Sequence, residues 1–300
     1  MSPRILVIRL GALGDVVLSF GPFAAIRAHH PAAEITLLTT RPFAPLLEGA
    51  PWFDRLCLDP RPALWNLPAL VRLRRVLRGF DLVYDLQTSG RSSAYFHLAG
   101  RPPWSGIARG AALPHANPRR DFLHTIERQR EQLEMAGISR FPAPDLGFLA
   151  RDPGRALPPH FALLVPGAAP HRPDKRWPAE RFAALAPLLA ARGLTPVVVG
   201  SEAEAPLAAP IRAAWPATLD LTGRTTLPDL AAIAARAQLA IGNDTGPMHL
   251  AAALGVPAIV LFSAASDPVL AAPRGPAPVT VLRAESLADL PLARVAAALP

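Results

Sequence analysis

The chain reads as an α/β protein of two successive doubly wound parallel sheets, one per domain, facing each other across a cleft. Three observations predict this. Short apolar runs alternate with longer stretches of helical periodicity, the pattern of parallel strands joined by crossover helices. The alternation restarts in the second half of the 300 residues. Between the halves lies 138–159, which holds Pro142, Pro144, Pro153, Gly154, Pro158 and Pro159 and shows neither periodicity. The expected domains are therefore 1–145 and 158–300, with the last helix free to pack back on the first domain.

In the first half, strands are expected at 4–9, 34–39, 55–58, 82–86 and 104–108, and helices at 15–29, 67–77, 92–98 and 122–136. In the second, strands are expected at 161–165, 195–199, 218–221, 239–241 and 258–262. Its helices fall at 179–191, 202–213, 228–235 and 247–254, with a last one near 287–298. In sheets of this kind ligands bind outside the carboxyl ends of the strands, so the loops that follow strands are where chemistry is sought.

Composition narrows the classes. A hydrophobic fraction of 51% is ample for two cores. The 36 prolines and 20 glycines stay below the roughly 25–30% that marks low complexity. The formal charge of +8 is carried by arginine, Lys175 being the single lysine. A basic surface favours phosphate-bearing partners, which include a nucleotide, an anionic glycolipid and nucleic acid alike. With no aromatic-interleaved basic stripe or reader motif, nucleic acid is not expected. Cys57 stands alone, which rules out an intrachain disulfide. The eight histidines show no HxxxH or HxH pairing, so no metal site is expected. Arg9 and Asp15 interrupt the first apolar run, so it does not read as a signal peptide. No segment reaches the ~20 apolar residues of a membrane span. The expected address is the cytoplasm, or the inner face of its membrane.

Three loops carry candidate chemistry. Strand 4–9 runs into Gly11, Gly14 and Asp15, where glycines let the backbone turn tightly and approach a ligand. A dinucleotide fingerprint would need glycine at Arg9 and an acidic residue where Thr39 and Thr40 stand, so the loop is poorly suited to NAD. Asp15 has two readings, a helix-start carboxylate or a general base. The second loop runs from Pro166-Gly167 to Lys175-Arg176-Trp177-Pro178, placing two cations beside a helix N-terminus, a favourable seat for diphosphate. In a chain whose other cations are arginine, one lysine points to a need for a compact charge. The third loop, from Gly242 to His249, combines two glycines, Thr245 and helix-end amides into an anion cradle. Capping by Asp244 or Thr245 and a core role for His249 are the plainer readings.

Together the runs IRLGALGDVVLSFGPFAAIR, DLVYDLQTSGRSS, VPGAAPHRPDKRWPAERF and LTGRTTLPDLAAIAARAQLAIGNDTGPMHLAAALGVPAIVLF resemble glycosyltransferase family nine, which contains the heptosyltransferases of the lipopolysaccharide inner core. The resemblance extends from Ile5 to Phe262. It implies the two-Rossmann GT-B fold and an inverting, metal-independent transfer of a sugar, expected to be heptose from ADP-heptose, onto a lipopolysaccharide-type glycolipid. By position it makes Asp15 the catalytic base and Lys175 the cation on the donor phosphates. Thr245, Gly246 and His249 match the diphosphate turn, Asp244 the residue that holds the donor sugar, and Glu202 the acidic residue near the nucleoside. Gly11, Gly14, Gln87 and Arg91 fall on the acceptor side. No cofactor beyond the nucleotide-sugar co-substrate is implied. The alternatives are a nucleotide-sugar 2-epimerase on the same fold and a non-catalytic nucleotide-sugar-binding protein. The basic helix spanning Val71 to Arg78 is either a solvated face or a peripheral contact with anionic membrane.

Overall fold

In the computed structural model, which describes residues 2–63 and 65–300, the chain divides into the units Met1–Phe148 and Leu149–Pro300. The first begins β1 (Arg4–Ile8), α1 (Leu13–Val17), α2 (Phe20–His29), β2 (Glu34–Thr39), α3 (Ala44–Leu47) and β3 (Arg55–Leu58). It continues through α4 (Leu67–Leu77), β4 (Leu82–Asp85), α5 (Gly90–Ala99), β5 (Trp104–Gly106), β6 (Leu113–Pro114) and α6 (Thr125–Met135). The second opens with β7 (Phe161–Val165), α7 (Ala179–Ala190), β8 (Thr195–Val198), α8 (Ala205–Ala214), β9 (Leu219–Asp220) and α9 (Leu227–Ala234). It ends with β10 (Leu239–Asn243), α10 (Gly246–Ala253), β11 (Ala258–Phe262), α11 (Pro268–Ala271), β12 (Val279–Arg283) and α12 (Leu292–Ala296).

Each unit holds one six-stranded sheet, ordered β3-β2-β1-β4-β5-β6 in the first and β12-β11-β10-β7-β8-β9 in the second. Every pairing is parallel. Counted from the first strand of each unit, the two orders are the same. In both, the chain starts in the middle, works outward to one side, then returns and works outward to the other. The strand order therefore reverses between β1 and β4, and again between β7 and β10. Crevices open at such reversals, outside the strand carboxyl ends.

The central strands read as continuous apolar runs because helices cover both faces; β7, β10 and β11 are buried at every residue. Leu6, Ile8, Leu38, Leu73, Leu77, Val83 and Trp104 form one core layer of the first sheet. Phe20, Phe23, Trp52, Phe53 and Phe148 make a chain of ring contacts in the same unit. In the second unit Phe182, Leu185, Leu189, Ile211, Ile241, Ile259 and Val295 share a core. Burying side chains of this size contributes roughly 1.5–3 kcal/mol each.

Several expectations need correction. The helix expected at 15–29 is two helices, broken where the Ser19 hydroxyl donates to the Asp15 carbonyl (2.8 Å). The last helix is shorter than expected, α12 covering only Leu292–Ala296, with Val295 in the core of its unit. Its expected span begins as a separate 3-10 turn at Leu287–Asp289. Strands β6 and β12 and the four-residue helices α3 and α11 were not anticipated from the sequence. Among the described residues, no helix is long and apolar enough to cross a membrane.

Candidate active site

The crevice of the first unit is built by the loops after β1 and β4. Arg9, the residue after β1, is buried, and its guanidinium ties the two loops together. Nη1 donates to the Leu86 carbonyl (2.6 Å) and Nε to the Asp15 carbonyl (3.1 Å). Nη2 lies 3.0 Å from Asp15 Oδ1. Burial lowers the Arg9 pKa while the Asp15 charge opposes that. The other Asp15 oxygen accepts the Ala12 N–H (3.2 Å), so the carboxylate is fixed from both sides yet remains 43% exposed. The helix-start reading of Asp15 is seen directly, since it closes the first turn of α1, and the same carboxylate also faces solvent.

Gln87 joins the same site, its Oε1 accepting the Leu10 N–H (2.8 Å). Gly11 has φ of +120°, and a Cβ there would run into the Phe43 ring. Gly14 sits in the first turn of α1. Asp85, at the end of β4, is fully buried, and its Oδ1 accepts the N–H groups of Gln87 (3.1 Å) and Thr88 (3.0 Å). Burial pushes this carboxyl up to about 6 despite those donors.

Arg91, on the exposed start of α5, donates to the Pro62 carbonyl (3.4 Å). It borders a network in which the Tyr95 hydroxyl donates to Asp59 Oδ2 (2.7 Å). A cavity of about 440 Å³ opens beside Asp59, lined also by Thr40, Arg41 and Arg61 at the carboxyl ends of β2 and β3. Thr40 Oγ1 and Arg61 Nη2 both donate to the Leu10 carbonyl (3.0 and 3.2 Å), so the cavity adjoins the Asp15 loop.

The crevice of the second unit repeats the plan with different chemistry. Lys175, in a 3-10 turn at Pro173–Lys175, places Nζ 2.6 Å from Asp244 Oδ2. The turn precedes α7 by several residues, so Lys175 is not at that helix's N-terminus as expected. It lies instead against the start of α10. His249 Nε2 is 3.7 Å from the other Asp244 oxygen. Burial would raise the Asp244 carboxyl, but the contacts from His249 and Lys175 and the ammonium charge hold it down at about 2. Asp244 thus serves Lys175 rather than capping the helix. Thr245 occupies the cap position without a side-chain cap bond, its Oγ1 donating back to the Asn243 carbonyl (3.3 Å). The first turn of α10, which begins at Gly246, therefore has no capping side chain.

Three residues were missed as functional candidates. Asn243 is fully buried and links three segments. Its Oδ1 accepts the Trp177 N–H (3.0 Å), and its Nδ2 donates to the carbonyls of Pro166 (2.8 Å) and Gly167 (3.2 Å). Only an amide both accepts and donates in this way. Glu204, not Glu202, reaches the β7 turn. Its carboxylate rests on Gly167, where a Cβ would push it aside, and accepts the Ser201 N–H (2.7 Å) and hydroxyl (2.9 Å). Glu202 is exposed beside Gly223. Arg9 completes the three. A G-x-x-x-E spacing after β8 and an arginine closing β1 were the available signals. Gly242, counted in the anion cradle, has a packing role: a Cβ there would lie 2.6 Å from Val165 Cβ and 2.9 Å from Met248 Sδ.

Two doubly wound units, each with polar loops at its strand reversal, define a fold shared with several solved proteins. Escherichia coli ADP-heptose lps heptosyltransferase II superimposes with a TM-score of 0.79 at 23% identity, covering 98% of this chain and 96% of that one. E. coli heptosyltransferase WaaC with ADP gives 0.79 at 24%, covering 97% of both. A UDP-N-acetylglucosamine 2-epimerase gives 0.53 at 13% identity, a likeness of fold alone. The profile of glycosyltransferase family 9 (heptosyltransferase) matches residues 70–289, and the chain belongs to that family. Among curated relatives, lipooligosaccharide heptosyltransferase 2 of Haemophilus influenzae is 26% identical, over 88% of this chain and 84% of its own length. Lipopolysaccharide heptosyltransferase 2 of E. coli K12 is also 26% identical, over 88% and 83%. The protein is a glycosyltransferase.

Proposed function

We propose that this enzyme is an inverting, metal-independent heptosyltransferase that moves heptose from ADP-heptose onto a lipopolysaccharide-type glycolipid. The first unit meets the acceptor and the second holds the donor. The observation that carries the reading is the Lys175–Asp244 pair beside an uncapped helix start. An ammonium has three N–H donors, and Asp244 takes one, so two remain for phosphate oxygens. The amides of Thr245 and Gly246 add the helix-end attraction for anions. Glu204, in the turn between β8 and α8, is an acidic residue beside the β7 loop and so a candidate for the ribose hydroxyls that acidic residues meet in doubly wound folds. The names of solved relatives, which include complexes with ADP and with ADP-2-deoxy-2-fluoro heptose, support the choice of donor.

Asp15 then removes the acceptor hydroxyl proton as that oxygen attacks the anomeric carbon. Charge gathers on the departing diphosphate, where Lys175 and the helix-start amides stabilise it. Arg9 keeps the Asp15 carboxylate in place. Asp15→Ala should bind donor with unchanged affinity in calorimetry and lose turnover by about 10²–10⁴-fold; full activity would remove Asp15 from the mechanism. Lys175→Ala should weaken donor binding. Because it also takes the ammonium away from a buried Asp244 that keeps only its weaker neighbours such as His249, a loss of up to roughly 3–5 kcal/mol in stability is expected with it. The Lys175→Ala/Asp244→Asn double variant relieves that charge. Donor affinity restored to wild type in the double variant would assign Lys175 to holding the loop, not the phosphates.

A further inference from the structure

The stretch from Pro60 to Phe80 contains five arginines and no acidic residue, and so carries more than half of the formal +8 of the chain. It also leaves large apolar side chains in water. Trp65 is 86% exposed, Leu67 68% and Val71 50%. The remaining tryptophans are treated differently, with Trp52, Trp104 and Trp177 buried and Trp215 half-buried.

The arrangement on α4 orders these groups. Ala69, Leu73 and Leu77 are buried, one face of a helix that turns about 100° per residue. Leu67, Val71 and Arg74 follow one another at helical spacing on the outward strip, with Arg72 and Arg75 beside it and the exposed Arg78 just past the helix end. The N-terminal half of the outward strip is thus apolar and the C-terminal half cationic. Asn66 caps the helix, its side chain accepting the Ala69 N–H (3.1 Å), so Trp65 leads directly into this strip. A solvated face accounts for the arginines but not for a bare indole, leucine and valine next to them.

We propose that α4, with Trp65 before it, is a docking surface for an anionic lipid bilayer. The arginines pair with lipid phosphates while Trp65, Leu67 and Val71 enter the boundary between headgroups and acyl chains, where indole rings are favoured. Charge complementarity with no acidic residue in the stretch selects an anionic partner. The apolar half selects one with a hydrocarbon interior, since a purely polar polyanion would gain nothing from Leu67 and Val71. This goes beyond the transfer reaction and does not rest on it, because docking needs neither donor nor acceptor.

Sedimentation of the full chain with phosphatidylcholine vesicles, with and without phosphatidylglycerol at roughly a third of the lipid, tests the proposal. Partition into the anionic vesicles should exceed that into the neutral ones by about tenfold or more and should fall with added salt. Trp65→Ser/Leu67→Ser/Val71→Ser and Arg72→Gln/Arg74→Gln/Arg75→Gln/Arg78→Gln should each lower it by about tenfold or more. In the wild type, anionic vesicles should shield the exposed indole from acrylamide quenching. Both variants should retain wild-type turnover of a water-soluble acceptor, so failure of docking and failure of transfer are distinguishable. Equal sedimentation with both vesicle types, or no shielding of the indole, overturns the proposal. Undiminished binding by the serine variant does so too, and would mark a simple polyanion patch.

Discussion

At the scale of single residues, two strand-end carboxyls respond to their surroundings in opposite directions. Asp85 has burial without a full set of partners and rises from 3.8 to about 6. Asp244 is buried too but meets an ammonium and an imidazole, and it falls to about 2. Their effects on stability differ in sign. Below pH 3.8 Asp85 is protonated in both folded and unfolded chains and costs nothing. Between pH 3.8 and 6 the folded chain binds the proton more tightly, so stability falls as pH rises, reaching a cost on the order of 3 kcal/mol. Asp244 contributes stability above pH 3.8 that is lost as pH falls toward 2. Asp85→Asn removes the first effect. In denaturant titrations its stability relative to wild type should improve by about 3 kcal/mol between pH 4 and pH 7. A difference that does not change with pH would show that Asp85 ionises freely. Neither carboxyl's behaviour was legible in the sequence, because the partners of Asp244 include a residue 69 positions away. The value of Asn243 was hidden for the same reason, its three bonds spanning 66 to 77 positions.

At the scale of elements, apolar runs located several strands well; the expected 34–39, 55–58, 161–165 and 258–262 match β2, β3, β7 and β11 residue for residue, although β3 is an edge strand with no fully buried residue. What failed were very short elements and one edge strand. β12 is a sheet-edge strand with no fully buried residue, and β6 is two residues ending in Pro114. Val279, Val281 and Leu282 gave β12 a signal that was not read, whereas β6 is too short to show one. α3 and α11, four residues each, are too short for helical periodicity to show. Gly242 gives a test of element packing. Its neighbours include the Val165 carbonyl, 2.8 Å from where a Cβ would lie, and a backbone atom cannot move aside as a side-chain tip can. Gly242→Ala should therefore cost about 1–3 kcal/mol by overpacking, read as a lower urea midpoint with unchanged slope. An unchanged midpoint would mean that β7 and β10 separate easily at their carboxyl ends.

At the scale of the molecule, the same strand order was used twice, and the loops at the two reversals were given different chemistry. The doubling was legible in the sequence because the alternation visibly restarts after 138–159. The strand order was not, since periodicity says which residues are strands and not which strands are neighbours. The proposed division of labour predicts where a donor nucleotide is felt. With ADP present, amide hydrogen exchange should slow most in 166–177 and 243–249, the two loops of the second crevice. Slowing centred on 9–15 and 86–91 would assign nucleotide binding to the wrong half.

The pairing of Lys175 with Asp244 bears on how the reaction cycle closes. A cation held ready by its own counter-ion never has to wait uncompensated in a partly buried place, so the empty enzyme is not strained by the absence of ligand. On the proposed reading, an arriving diphosphate shares the ammonium with this resident competitor, and a spent nucleotide leaves a partner already at hand to take up the charge. Tight capture and prompt discharge are then served by one carboxylate, at the expense of some affinity for both substrate and product.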